Sequence, residues 1–245
     1  MPLPAIFRPL FDFALPPRCP VCGLTVEADN RFCLSCWQQL HFLVRPWCDA
    51  CGLPFAFDRP DDSRCVKCLA NPPDHDGVRA VVRYDDLSSL IAMRLKYGTR
   101  LGLAKLIAGH LQKFVVQPSS NMVIVPVPLH AARLWRRGFN QSVLIGSELS
   151  KYTGIGMSYN AIYRCKITPP LKGMTAKQRQ RIVDKAFALR AGARSTLSGK
   201  SILLVDDVYT SGSTSNACAR LLKQAGAEQV LVFCWARVIS ELETG

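Results

Sequence analysis

The sequence predicts an α/β protein, a parallel sheet flanked by helices, with a small cysteine-rich metal module at its N-terminus. Three observations predict it. Ile202, Leu203, Leu204 and Val205 form an unbroken aliphatic run that reads as a fully buried parallel strand. Two carboxylates, Asp206 and Asp207, end that strand, and the loop Thr210-Ser211-Gly212-Ser213-Thr214 then leads to an amphipathic helix over Ser215 to Ala225, with Leu221 and Leu222 on its apolar side. Near the N-terminus, eight of the eleven cysteines form four C-x-x-C knuckles: Cys19/Cys22, Cys33/Cys36, Cys48/Cys51 and Cys65/Cys68.

At 245 residues the chain suits one full α/β domain plus a smaller unit. The boundary is expected near residue 75, giving a cysteine module over 1–75 and a sheet domain over 76–245. Net charge is +13 and the isoelectric point about 9.5, a balance that suits polyanionic partners such as nucleic acid or phosphorylated ligands, or simply a basic soluble surface. No apolar run approaches membrane-spanning length. Met1 to Pro17 is apolar but interrupted by Pro4, Arg8, Pro9 and Asp12, so it lacks a signal-peptide core and reads as a short helix or strap. A cytoplasmic location is expected.

In the cysteine module, x-x spacing lets two thiolates face one tetrahedral ion, and two knuckles complete a zinc site. Disulfides fit a cytosolic chain poorly. Sequential pairing joins Cys19, Cys22, Cys33 and Cys36 in one site and Cys48, Cys51, Cys65 and Cys68 in another; interleaved pairing or a single occupied site is equally compatible with the spacing. Four thiolates leave no open coordination position, so the metal is structural and supplies folding free energy. Phe32, Trp37, Trp47, Phe55 and Phe57 offer a small core around it. The four histidines lack ligand-like spacing. Cys165, Cys218 and Cys234 lie outside the knuckles and read as buried or inert thiols.

Asn71-Pro72-Pro73-Asp74 marks a linker. Val78 to Tyr84 alternates as a strand, and Asp85 to Ser88 offers a helix cap. Apolar residues then recur at helical spacing from Leu90 to Leu111, with a break at Tyr97-Gly98-Thr99 and a second helix from Leu101. Arg94, Lys96 and Arg100 near the break suit a solvated face or a nucleic-acid contact. Met122 to Val127 is the next buried strand. The basic run Arg133 to Gln141 reads as a loop turning into a helix that reaches about Tyr152. Ala161 to Arg164 and Phe187 to Leu189 are short strands around a polar, basic segment, Cys165 to Asp184, which suits a mobile lid or a surface hairpin. Val230 to Trp235 closes the sheet.

The stretch Ile202–Thr214 resembles the phosphoribosyl-pyrophosphate (PRPP) signature of type I phosphoribosyltransferases: a hydrophobic strand, two acids, then a T-x-G-x-T-like loop. A loop at the carboxyl end of a parallel strand, opening a helix N-terminus, is where open α/β sheets hold phosphate. Asp206 and Asp207 can hold vicinal hydroxyls or Mg²⁺. An acid pair can also end a Walker B strand, but no G-x-x-x-x-G-K-[ST] loop occurs; it can also merely cap a helix.

The paired knuckles, Pro126-Val127-Pro128-Leu129 with Arg136-Arg137-Gly138-Phe139-Asn140-Gln141, the Thr168-Pro169-Pro170 to Phe187 segment and the Val205-Asp206-Asp207 signature together resemble the ComF/GntX family of competence-associated proteins. That resemblance implies a zinc-ribbon module fused to a type I phosphoribosyltransferase-like sheet. It also implies a role in uptake of single-stranded DNA alongside a helicase at the inner face of the inner membrane. It makes Asp206 and Asp207 the ribose-binding acids, and Thr210, Ser211, Gly212, Ser213 and Thr214 the 5′-phosphate loop. Arg136 and Arg137 then lie in or beside the pyrophosphate loop, with Mg²⁺ accompanying PRPP. Leu171 replaces the family's usual glutamine, and Ile182-Val183 follows Arg179 where the family has Asn-Val; both changes remove polar side chains. Thr210 stands where purine-salvage relatives carry an acid, and a threonine is no general base at neutral pH. An active Mg²⁺-dependent phosphoribosyltransferase of unknown acceptor is the alternative function.

Overall fold

In the computed structural model, residues 16–98, 100–166, 182 and 185–240 are described. Four parallel strands form the main sheet: β1 (Gly77–Arg83), β2 (Met122–Pro126), β5 (Ser201–Tyr209) and β6 (Gln229–Arg237), in the order β1-β6-β5-β2. The signature strand β5 is therefore central. Its aliphatic run is buried on both faces, which is why it lacks alternation. A separate antiparallel pair joins β3 (Ile162–Arg164) and β4 (Phe187–Leu189).

The helices are α1 (Leu34–Gln38), α2 (Val66–Ala70), α3 (Asp86–Lys96), α4 (Leu103–Leu111), α5 (Ala131–Arg137), α6 (Gln141–Thr153), α7 (Ala193–Leu197) and α8 (Ser213–Gln224). Asp85 starts α3 with a capping box: its side chain accepts from Ser88 N–H while the Ser88 hydroxyl accepts from Asp85 N–H. The helical spacing after Leu90 does break near Gly98, and α4 begins at Leu103.

Successive residues of a strand point to opposite faces, and the two faces bury different partners. Ile202, Leu204, Val230 and Val232 face α8, the β3–β4 pair and the second group of cysteines. Leu203, Val205, Phe233 and Trp235 face α3, α4 and α6, together with Val21, Phe32 and Phe42 from the first. The expected aromatic core of the cysteine module is only partly formed: Phe32 lies 6.4 Å from Trp37 and Trp37 4.5 Å from Phe42, but the other expected members turn elsewhere. Phe32 stacks 6.4 Å from Trp235, Trp47 meets Phe114 edge-on at 6.0 Å, and Phe57 is exposed. A unit of this size has too little apolar volume of its own, so its aromatics complete the core of the sheet.

The N-terminal strap expected up to Pro17 lies outside the described residues as far as residue 15, as does most of the Cys165–Asp184 lid or hairpin. Cys218 and Cys234 are fully buried, and burial pushes both thiols up; of the three cysteines read as buried or inert, Cys165 alone is exposed. No helix of the described residues is long and apolar enough to cross a membrane.

Candidate functional site

The cysteines assemble sequentially. Cys19, Cys22, Cys33 and Cys36 bring their sulfurs within 4.8 Å of one another, and so do Cys48, Cys51, Cys65 and Cys68; interleaving is excluded. Sulfurs 2.3 Å from a tetrahedral zinc lie about 3.8 Å apart, and the 3.4 Å Cys22–Cys33 and 3.7 Å Cys51–Cys65 separations fit that donor set. The two groups repeat one design. Cys19 N–H donates to Leu24 C=O as Cys48 N–H does to Leu53 C=O, and Gly23 and Gly52 both close the knuckle by donating to the first cysteine's carbonyl. Cys33 and Cys65 precede the first turns of α1 and α2, which carry Cys36 and Cys68.

Each group is bolted to the sheet domain by arginine. Arg237, at the end of β6 and almost fully buried, donates from Nε to Cys51 C=O at 2.7 Å and from Nη2 to Cys51 Sγ at 3.4 Å. Its charge would offset the excess negative charge of four thiolates holding a dication. On the first group, Arg94 donates to Pro20 C=O and to Val21 C=O (2.8 Å), and Arg100 to Cys19 C=O (3.2 Å). Arg94 and Arg100 are thus more than a solvated face, and both stay half-buried; the knuckle turns leave carbonyls pointing outward, and the guanidinium fork satisfies them.

Asp206 and Asp207 stand at the carboxyl end of β5. Each carboxylate folds back onto the next backbone N–H, Asp206 Oδ1 accepting from Asp207 N at 2.8 Å and Asp207 Oδ1 from Val208 N at 3.0 Å. Beyond that their surroundings differ. Asp206 Oδ1 also accepts from the Ser142 hydroxyl at 3.3 Å, in the first turn of α6. Burial, and then the Asp207 charge, push the Asp206 carboxyl up to about 7. Asp207 is buried and pairs with Lys96 Nζ at 2.8 Å. Burial draws the Lys96 ammonium down, but the Asp207 and Asp206 charges hold it above its ordinary value.

Gly212 caps α8 in the left-handed region (φ 76°), and no side chain caps that helix, so its first-turn N–H groups are available to an anion. Thr210 is exposed, Ser211 and Thr214 are half-buried, and Ser213 is buried with its hydroxyl 2.9 Å from that of Ser211. Behind the loop, buried Tyr209 bonds His75 Nε2 at 3.2 Å, and burial pushes the His75 imidazole down to about 4, so it is neutral.

The basic run is not a loop. Residues 131–137 form α5, capped by the His130 ring, which accepts from Ala132 N–H, and closed by Gly138 (φ 81°). Arginines suit the last turn of a helix, and Arg136 and Arg137 occupy it. Arg137 donates to Gln141 Oε1 at 2.6 Å and Arg136 is exposed; no contact between either and the acid pair occurs among the described residues. Asn140 caps α6 and donates to Val127 C=O at 3.0 Å, tying the helix start to the end of β2. Because β2 pairs with β5, Pro126 beside Val205, the N-terminus of α6 and the acid pair share one edge of the sheet.

Sequence reasoning missed Ser142 and Lys96 as site residues. Asn140 as a helix cap hinted at Ser142, whereas nothing local marks Lys96, which reaches Asp207 across more than a hundred residues. Two cavities lie apart from this edge. One of about 910 Å³ runs between Glu27–Arg31 and α4, where burial pushes His110 down to about 4, and one of about 330 Å³ is lined by Phe114, Met122 and Phe233. Neither is lined by the acid pair or the Gly212 loop.

The fold and these cysteine groups define a class: a double zinc ribbon joined to a phosphoribosyltransferase-type sheet. Residues 10–69 match the family model of the double zinc ribbon domain and residues 168–243 that of the phosphoribosyl transferase domain. The chain is 31% identical to "Competence protein F" of Haemophilus influenzae, over 90% of this chain and 96% of the relative. It is 33% identical to "DNA utilization protein YhgH" of Salmonella typhimurium (92% and 99%) and 26% identical to "Competence protein ComFC" of Bacillus subtilis (82% and 81%). The protein belongs to the ComF family.

Proposed function

We propose that this protein binds PRPP at the Asp206–Asp207 pair and the Gly212 loop, and serves the uptake or utilisation of single-stranded DNA. The observation that carries the binding site is the junction of the acid pair with the bare α8 N-terminus on one sheet edge. There the carboxylates accept from ribose hydroxyls, the Gly212 loop holds the 5′-phosphate, and Mg²⁺ arrives with the pyrophosphate, whose oxygens supply most of its ligands. Arg136, exposed at the end of α5, is the cation of the basic run available to an anion, with Arg137 beside it on Gln141. The names of the curated relatives support the DNA role, as does the +13 charge. A helicase and the inner face of the inner membrane are the expected partner and place of action.

Single-strand binding is tested by titrating labelled oligonucleotide at several salt concentrations. Affinity is expected to fall steeply with salt as counterions are released. Its absence at low salt would remove direct DNA binding from the proposal.

The match of residues 168–243 to the phosphoribosyl transferase domain favours a second reading, Mg²⁺-dependent phosphoribosyl transfer to an unknown acceptor. Thr210 cannot act as a base, so the acceptor would have to arrive nucleophilic or find a base elsewhere. Release of pyrophosphate from PRPP across a panel of nucleobases tests this, and no release with any of them would argue for binding alone.

A further inference from the structure

Lys96 is a cation built into the acid pair. Its ammonium lies 2.8 Å from Asp207 Oδ2, with the lysine side chain about three-quarters buried and the carboxylate more so. It comes from the last residue of α3, and its position is fixed from both sides. Two residues earlier Arg94 binds the carbonyls of Pro20 and Val21, and four residues later Arg100 binds that of Cys19. The segment that carries Lys96 is thus held against the first zinc knuckle. Asp206, by contrast, meets a neutral hydroxyl, that of Ser142.

This arrangement changes what the pair can bind. When both are ionised, two adjacent carboxylates with nothing between them carry a charge of −2 and attract a divalent metal. With one ammonium in contact the pair carries −1, and a metal approaching Asp207 meets a cation already seated there. A vicinal diol suffers no such penalty, because hydroxyl groups donate to carboxylates without bringing charge.

We propose that Lys96 is the resident counter-cation of the acid pair, which keeps divalent metal off these carboxylates, reserves them for ribose hydroxyls and presents an ammonium to the bound anion. The last part rests on the PRPP reading above; the first does not. Lys96 is a positioning residue in the free protein and a ligand contact in the complex. The first zinc ribbon acquires a role at the site through it, as the anchor of the segment that delivers Lys96.

The test uses the full, zinc-loaded chain and Mn²⁺ alone as probe, with free Mn²⁺ read by electron paramagnetic resonance. Lys96→Met is expected to bind Mn²⁺ about tenfold or more tightly than the wild type, since a contact charge has been removed from a partly buried site. Lys96→Arg, which restores the charge, is expected to remain at the wild-type level. Lys96→Gln provides a second neutral variant should the methionine variant fail to fold. Unchanged Mn²⁺ affinity in a folded neutral variant overturns the proposal, whatever happens to its melting temperature, because a merely structural lysine would alter melting alone.

Titration with PRPP and Mg²⁺ separates the two readings. If the wild type ignores PRPP while the Mn²⁺ result holds, the counter-cation stands and the ligand reading falls. If the wild type binds PRPP while Mn²⁺ affinity is indifferent to residue 96, the ligand reading stands and the counter-cation falls.

Discussion

Gly212 and Tyr209 are in such close apposition that a Cβ on the glycine would lie 2.5 Å from the tyrosine hydroxyl. The tyrosine cannot yield, because it is buried and its hydroxyl is bonded to His75, itself buried in the segment that leads from the cysteine ribbons into β1. The loop's shape is thereby set from beneath by the end of β5. Gly212→Ala adds this clash to the strain of a non-glycine residue at positive φ, about 1–3 kcal/mol. The expected outcome is a folded protein with a lowered denaturation midpoint and a PRPP affinity reduced at least severalfold, checked by urea titration and calorimetry. An alanine variant with wild-type affinity would remove the loop from the site.

If Asp206 contacts the ligand as proposed, binding is expected to depend on pH. Its carboxyl is raised by burial and by the neighbouring Asp207 charge to about 7, above its unfolded value, so the folded state holds a proton there that the unfolded state has released. This group's contribution to stability is therefore greatest below the ordinary carboxylate range and declines as pH rises towards 7. Ligand hydroxyls, in contrast, need the ionised carboxylate. PRPP affinity is expected to strengthen between pH 6 and 8 in the wild type, and Asp206→Asn is expected to flatten that profile. A wild-type profile that is already flat would argue against Asp206 as a ligand contact.

Metal analysis of the purified protein is expected to give two zinc ions per chain, one for each group of four sulfurs. Cys48, Cys51 and Cys68 share a buried cluster with Val78, Val232 and Cys234 of the sheet. Chelation is therefore expected to unsettle the sheet domain as well as the ribbons, seen as loss of chain-wide cooperativity in thermal melting. A sheet transition indifferent to chelator would show that the two parts are energetically separate.

Much of this could be read along the chain, and the reason is locality. The β5 strand, its acid pair and the Gly212 turn announce themselves within thirteen consecutive residues, and each C-x-x-C knuckle lies within four. The capping box at Asp85 and Ser88 is equally local. What escaped depends on distant pairing. Lys96 sits on a helix face that periodicity alone marks as solvated, and only the fold brings Asp207 to it. Arg94 and Arg100 look like surface charge until the knuckle carbonyls come within reach. The Arg133–Arg137 run reads as a loop along the chain, and the caps at His130 and Gly138 make it a helix. The cysteine pairing was open for the same reason: spacing states that knuckles exist but not which two meet.

Whether the acid pair and the Gly212 loop form a PRPP site is decided by calorimetric titration of the zinc-loaded protein with PRPP and Mg²⁺. The wild type is expected to show saturable binding that an Asp206→Asn/Asp207→Asn variant, confirmed folded and zinc-loaded, loses. Absence of heat and of binding in a folded wild type, or equal binding by the variant, would contradict it.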